Sequence, residues 1–171
     1  DLSKENTDTK VKNIYYVIET DGPEGFITTY EPNNYKSPDV NTVTITNTKE
    51  TTQYTIQKVW DKNVQTSSMP RTLQVSLFAF NKNDENDTKL YNELIGYVNN
   101  KQYNEINNKI AELTDKKVGS SIGLSVGNQW SFTWSELSKD NNYFAWETDA
   151  NALSKFNITN AVISDEGTKM T

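Results

Sequence analysis

The chain has 171 residues, 34% hydrophobic and 23% charged, with a net charge of −6 and neither cysteine nor histidine. That is apolar material enough for one large domain or two small ones. The negative balance argues against general nucleic-acid binding, and the missing residue types remove disulfides, the usual zinc sites and the commonest general base near neutral pH.

No apolar run approaches the length of a membrane span, and targeting or anchoring segments are expected outside this stretch. Asn, Thr and Lys are abundant and Arg71 is the sole arginine, a hint of an AT-rich bacterial genome. In chain order, period-two alternation bounded by Asn, Asp, Gly and Pro predicts strands over 13–20, 42–48, 53–61 and 72–80. Helical spacing then takes over: Leu90, Leu94, Tyr97 and Val98 are followed by Tyr103, Ile106, Ile110 and Leu113. This predicts an amphipathic insertion at about 88–115, split at Asn99 and Asn100. The insertion is expected to cover an open sheet face of its own domain; docking a partner is the alternative. Strands resume at 129–134, 142–148 and 156–163. The expectation is an all-β sandwich with a helical insertion.

The chain also repeats itself. Asp1-Leu2-Ser3-Lys4-Glu5-Asn6 matches Glu136-Leu137-Ser138-Lys139-Asp140-Asn141 in character. In the same order, Tyr15-Tyr16-Val17-Ile18-Glu19-Thr20-Asp21 matches Tyr143-Phe144-Ala145-Trp146-Glu147-Thr148-Asp149. The spacing implies tandem domains. Residues 1–50 then read as the last third of one domain, and 51–171 as the next without its final strand.

Several polar residues fall on the apolar face of their strands. Lys58 shares a face with Tyr54, Ile56 and Trp60, and Asn47 shares one with Val43 and Ile45. Glu19 follows Tyr15 and Val17, as Glu147 follows Tyr143 and Ala145. Each could reach solvent along its stem near a strand end. Buried instead, each would need a partner or neutralisation, because an unpaired polar group inside costs several kcal/mol. Desolvation pushes a lysine down and a carboxylic acid up, so both become neutral. A neutral ε-amine is a nucleophile, and a protonated glutamate polarises an amide carbonyl and shuttles the proton. Attack of the lysine on the asparagine side chain would release ammonia and leave a covalent cross-link, with fixed proximity supplying much of the rate.

A family resemblance rests on motifs in a fixed order. They are Gln57-Lys58-Val59-Trp60-Asp61, Pro70-Arg71 leading into Val75-Ser76-Leu77, Trp130-Ser131-Phe132-Thr133-Trp134 with Glu136-Leu137, and Tyr143 with Glu147. Together they resemble the B-type repeats of the collagen adhesin, the Cna B-type domains of Gram-positive surface adhesins and pilins. Val43-Thr44-Ile45-Thr46-Asn47-Thr48 is similar to the final strand of such a repeat. The resemblance covers nearly all of the chain except the helical insertion. It implies a reversed immunoglobulin-like β-sandwich and an autocatalytic Lys–Asn isopeptide bond assisted by a buried acid. Lys58 and Glu147 resemble the lysine and acid of the second domain, and Glu19 and Asn47 the acid and asparagine of the first. The implied role is a tension- and protease-resistant stalk on the bacterial cell surface, outside the cell, with neighbouring repeats as partners and a host ligand as a further one.

Neither repeat holds all three residues. Asn160, on a face with Phe156, Ile158 and Val162, is a substitute for the asparagine of the second domain. Aligning Asp39 with Asp165 places the counterpart of Asn47 just beyond Thr171. The resemblance implies that the lysine and asparagine strands lie side by side and parallel. Joining Asn47 to Lys58 within one chain would then oblige residues 49–53 to run back about 20 Å at roughly 3.3 Å per residue. Exchange of the 42–48 strand between chains is the more economical expectation.

Other readings compete. Trp60, Trp130, Trp134 and Trp146 could form a sugar-stacking surface, making this a ligand-binding adhesive module, although tryptophans on alternating strands favour a core. Asn81, Asn83, Asp84, Glu85 and Asp87 form an oxygen-rich loop without the spacing of a calcium loop, so a solvated turn is expected. Sequons at Asn86 and Asn157 carry little weight in so asparagine-rich a chain. A conventional hydrolase is not expected, since no Ser or Cys has a histidine; no cofactor or metal is implied.

Overall fold

The computed structural model describes residues 8–9, 15–23, 25–32, 42–153, 155–156, 158, 160–163 and 169–170. The repeat block at 1–6, Asp39, Asn157, Asp165 and Thr171 lie outside the described residues. The chain divides into two compact units, Asp1–Glu50 and Thr51–Thr171.

In the first unit, β1 (Phe26–Glu31) pairs antiparallel with β2 (Thr44–Lys49), Thr28 standing opposite Asn47. Threonine, isoleucine and tyrosine dominate both strands, as β-branched and aromatic residues suit a pleated surface. The strand expected over 13–20 does not form across its described part, 15–20. There the backbone N–H of Glu19 donates to the Tyr30 hydroxyl at 3.0 Å instead of to a neighbouring strand.

The second unit is a two-sheet sandwich. One sheet holds β3 (Thr51–Gln57) between β6 (Ser131–Ser138), antiparallel, and β8 (Lys169–Met170), parallel. The other holds β4 (Leu73–Asn81) between β5 (Ile122–Leu124) and β7 (Asn141–Glu147), both antiparallel. The register pairs Val75 with Glu147 and Leu77 with Ala145. Alternation therefore sends Leu73, Val75, Leu77, Tyr143 and Ala145 to the inner face, toward Tyr54, Ile56 and Leu137 of the first sheet. All eight are buried, and the rings of Tyr54 and Tyr143 meet across the sandwich at 6.4 Å.

The outer face of β4 and β7 carries Phe78, Phe80, Phe144 and Trp146, which are buried too. Two helices cover it, α1 (Glu85–Asn99) and α2 (Tyr103–Glu112). Phe80 lies 5.9 Å from Tyr91, Trp146 lies 6.0 Å from Tyr103, and the Trp146 indole N–H donates to Asn107 Oδ1 at 2.8 Å. The insertion thus packs on its own domain, and a sheet covered on both faces explains the apolar runs 77–80 of β4 and 143–146 of β7. The break falls where expected: α1 ends at Asn99, Asn100 caps it, and Lys101 takes a left-handed conformation (φ 57°).

The acidic loop before α1 serves the helix. Asp84 accepts from the N–H groups of Asn86 and Asp87, satisfying two of the donors that a helix start leaves open. Buried Asp87 accepts from the N–H of Asn81 at 2.9 Å and pairs with Lys116 at 2.6 Å. Burial pushes the Asp87 carboxyl up, but the Lys116 hydrogen bond and the Asn81 N–H outweigh it and leave the group below its ordinary range.

Two further differences from the sequence pattern have local causes. β6 runs on to Ser138 across a bulge, where Gln53 faces both Ser135 and Glu136 and Glu136 adopts φ 56°. Over the described residues of 156–163 no strand forms beyond a bridge residue at Ile163. Asp149 caps a short helix, α3 (Ala150–Leu153), and the N–H groups of Lys155 and Phe156 turn back onto the Ala152 carbonyl. Among the described residues no helix is long and apolar enough to cross a membrane.

Candidate functional site

Lys58 follows directly on β3, and its N–H continues the ladder by donating to the Trp130 carbonyl at 2.8 Å. That carbonyl is presented by Gln129 and Trp130, two successive residues at φ 56°. For side chains other than glycine this conformation is uncommon and is held only where the surroundings enforce it. Here the enforcement is aromatic: Trp130 meets the edge of Trp60 at 5.1 Å, and Trp60 meets Phe156 at 5.2 Å.

Parity along β3 turns Lys58 inward with Tyr54 and Ile56, and parity along β7 turns Glu147 inward with Tyr143 and Ala145. The two side chains meet between the sheets, Nζ to Oε1 at 2.6 Å, with 16% and 14% of their surfaces exposed. The ammonium also stands 4.9 Å from the Trp60 ring centroid, within reach of a cation–π attraction. A cavity of about 290 Å³ opens beside the pair, walled by Ile56, Trp60, Trp146 and Asn160 among others. The indole N–H of Trp60 is buried without a hydrogen-bond partner. So is the hydroxyl of Tyr54, and burial pushes that phenol up.

The other two residues singled out in the sequence meet in the first unit. Asn47 Nδ2 donates to Glu19 Oε1 at 2.9 Å. Thr28, opposite Asn47 in the ladder, places its hydroxyl 3.0 Å from Glu19 Oε2 and 2.8 Å from Asn47 Oδ1. Glu19 and Thr28 are half-buried and Asn47 is exposed, so this constellation lies at the surface and lacks the apolar enclosure around Lys58. Thr28 was not singled out in the sequence. Its signal was the Thr-rich stretch 26–31, whose pairing with 44–49 sets Thr28 across from Asn47.

Each unit thus sets its carboxyl against a nitrogen group: an amine in the second, a carboxamide in the first. Of the four tryptophans, Trp130 and Trp146 belong to the core, and Trp60 and Trp134 pack against it partly buried.

No family model and no curated protein matches the sequence. Among solved structures, the chain is similar to a single B repeat unit (B1) of the collagen-binding surface protein Cna of Staphylococcus aureus. The identity is 22% and the TM-score 0.43, over 100% of this chain and 70% of that one. It is also similar to a pilus adhesin, SpaC, from Lactobacillus rhamnosus GG, at 16% identity and a TM-score of 0.44, over 74% of this chain. A third is the two-repeat B1B2 form of Cna, at 19% identity and 0.38. The chain spans 13% of the pilus adhesin and 34% of the two-repeat form.

Proposed function

We propose that this chain is a Cna B-type structural module of a bacterial cell-surface adhesin or pilin, a reversed immunoglobulin-like stalk element closed by autocatalytic Lys–Asn cross-links. The observation that carries this reading is the Lys58–Glu147 contact, an amine and an acid at 2.6 Å between two apolar sheets beside a cavity. A purely structural ion pair in that position gains little over a well-packed apolar pair. As reactants the two have a reason to be there. Transfer of one proton from Nζ to Oε1 leaves a neutral amine and a neutral acid. The amine attacks the carboxamide carbon of an asparagine, the new C–N bond forms and the bond to Nδ2 breaks. Glu147 gives its proton to Nδ2, takes the second proton that Nζ loses on becoming an amide, and ammonia leaves with Glu147 protonated. Each site turns over once, so the module is not an enzyme in the ordinary sense.

An asparagine that fits is Asn47 of another chain, with its β2 taking the place of β8 beside β3. Along β3 a parallel neighbour already pairs with Thr55 and Ile56. A strand in that register reaches Lys58 two residues after the partner of Ile56. β2 meets this spacing with Ile45 and Asn47, setting isoleucine beside isoleucine and carboxamide beside amine. Among the described residues β2 pairs only with β1, so its other edge can meet β3 of another chain while Thr28 stays opposite Asn47. A second reading joins Lys58 to Asn160, because Asn160 lines the same cavity.

Intact mass under denaturing conditions tests both readings, with Lys58→Ala beside the parent. A ladder of chains that survives boiling and disappears in the variant is expected. A monomer lighter by one ammonia would favour Asn160. The unchanged calculated mass at every concentration would overturn the cross-link.

A further inference from the structure

The acid–amide pair of the first unit contains a third group whose chemistry the Lys–Asn reading does not use. Three contacts close a ring: Asn47 Nδ2 to Glu19 Oε1 at 2.9 Å, Glu19 Oε2 to Thr28 Oγ1 at 3.0 Å, and Thr28 Oγ1 to Asn47 Oδ1 at 2.8 Å. A hydroxyl carries one proton. If Glu19 is ionised, that proton serves either Oε2 or Oδ1, and the other contact is two oxygens facing each other with nothing between them. If Glu19 carries a proton on Oε2, every contact holds one: Oε2–H to Oγ1, Oγ1–H to Oδ1, and Nδ2–H to Oε1. The orientation of the carboxamide follows from the same count, since only its NH2 end can donate to Oε1.

Neighbours hold the ring in place. Thr28 is pinned opposite Asn47 by the β1–β2 register, and Tyr30, two residues along the same face of β1, receives the Glu19 backbone N–H. On the other side Gly22 comes so close that a methyl group there would stand 3.3 Å from Glu19 Oε2 and 3.4 Å from Thr28 Oγ1.

We propose that Thr28 is a catalytic member of the Asn47 site, relaying the proton of Glu19 to the Asn47 carbonyl oxygen and so priming the carboxamide for attack by a primary amine. As the amine nitrogen bonds to the carboxamide carbon, negative charge gathers on Oδ1, where the Thr28 hydroxyl already donates. The attacking nitrogen loses one proton, Nδ2 gains it through Glu19 Oε1, and ammonia departs. Glu19 and Thr28 end as they began. A preset donor at a developing oxyanion is the kind of group whose loss slows acyl transfer about 10²- to 10³-fold.

The inference rests on the Lys–Asn reading for its biological amine, but its test does not. The chain carrying Lys58→Ala is incubated with methylamine, and uptake at Asn47 is read by peptide mass against exposed Asn63. The expected result is uptake at Asn47 well above that at Asn63. Thr28→Val, which keeps the shape and removes the hydroxyl, should bring it down to the Asn63 level, and Thr28→Ser should restore it to within about threefold. Uptake no higher than at Asn63, or equal in Thr28→Val, would overturn the relay. In parallel, Lys58→Ala chains are mixed with Asn47→Ala chains, which supply the lysine. Methylamine uptake without a cross-linked heterodimer would sink the exchange reading and leave the role of Thr28 standing.

Discussion

Residues 15–21 and 143–149 are nearly the same sentence written twice, aromatic and apolar residues closing on Glu-Thr-Asp, yet they end in opposite surroundings. Tyr143, Phe144, Ala145 and Trp146 are 6%, 0%, 0% and 2% exposed, while Tyr15, Tyr16, Val17 and Ile18 are 42%, 59%, 52% and 51% exposed. The difference lies in what each has beside it. The 143–147 stretch pairs with β4 along its whole length, faces β3 on one side and two helices on the other. No ladder includes the described residues of 15–20. Alternation makes a strand possible, and neighbours on the edge and on both faces make it one. Glu19 and Glu147 inherit the contrast: the first meets a carboxamide at the surface, the second an ammonium between sheets.

The widest separation between the two regions should appear in their cores. Phe144→Ala removes a fully buried ring packed between β4 and the helices, and a loss of about 3–5 kcal/mol is expected. Ile18→Ala, at a side chain already half in water, should change stability by less than about 0.5 kcal/mol. Denaturant unfolding followed by tryptophan emission reads the first, and the same melt with a peptide-bond signal reads the second. Comparable losses at the two positions would mean that 15–18 is buried in solution and that the contrast is false.

A smaller gap is expected at the acids. Glu147→Ala leaves the Lys58 ammonium without its counter-charge at a site only 16% exposed. Breaking a fully buried pair costs several kcal/mol; with solvent reaching this one, about 2 kcal/mol is expected. Glu19→Gln keeps a polar group at a half-exposed position and should cost no more than about 0.5 kcal/mol. The measurement is the denaturation midpoint of each variant in the Lys58→Ala background as well as the parent. If Lys58 is the reason that Glu147 matters, most of the penalty should vanish in that background. A penalty that persists would tie Glu147 to the fold and not to its partner.

How far the sequence could be read follows from the same contrast. Period-two alternation located β3 and β6, whose inward residues must be apolar, and it marked β4 and β7 although their second face is apolar as well. Helical spacing found both helices, and the asparagines at 99 and 100 marked the break. Parity alone turned Lys58 and Glu147 to the inside, where the structure brings them to 2.6 Å. What stayed hidden was whatever depends on the neighbour. The run at 156–163 alternates like a strand, yet the Asp149 cap and the turn onto Ala152 draw it elsewhere. β5 is too short, at Ile122–Leu124, to show a period at all. Thr28 is an ordinary strand threonine until the β1–β2 register sets it across from Asn47.

The smallest effect on stability should come from Gly22, and it probes the surface ring most directly. Its backbone is not in the left-handed region, so alanine carries no conformational strain there and slightly restricts the unfolded chain. The added methyl group would meet only the ends of two side chains, Glu19 Oε2 at 3.3 Å and Thr28 Oγ1 at 3.4 Å. Both can give way by a few tenths of an ångström, so stability should move by no more than a few tenths of a kcal/mol. The ring has less tolerance than the fold. Its longest contact is already 3.0 Å, and hydrogen bonds weaken quickly beyond their usual lengths. Gly22→Ala should therefore lower methylamine uptake at Asn47 severalfold while leaving the unfolding curve of the second unit, with its four tryptophans, where it was. Unchanged uptake would show that the Glu19–Thr28 contact is not part of what readies Asn47, and would return Thr28 to being a strand residue like its neighbours.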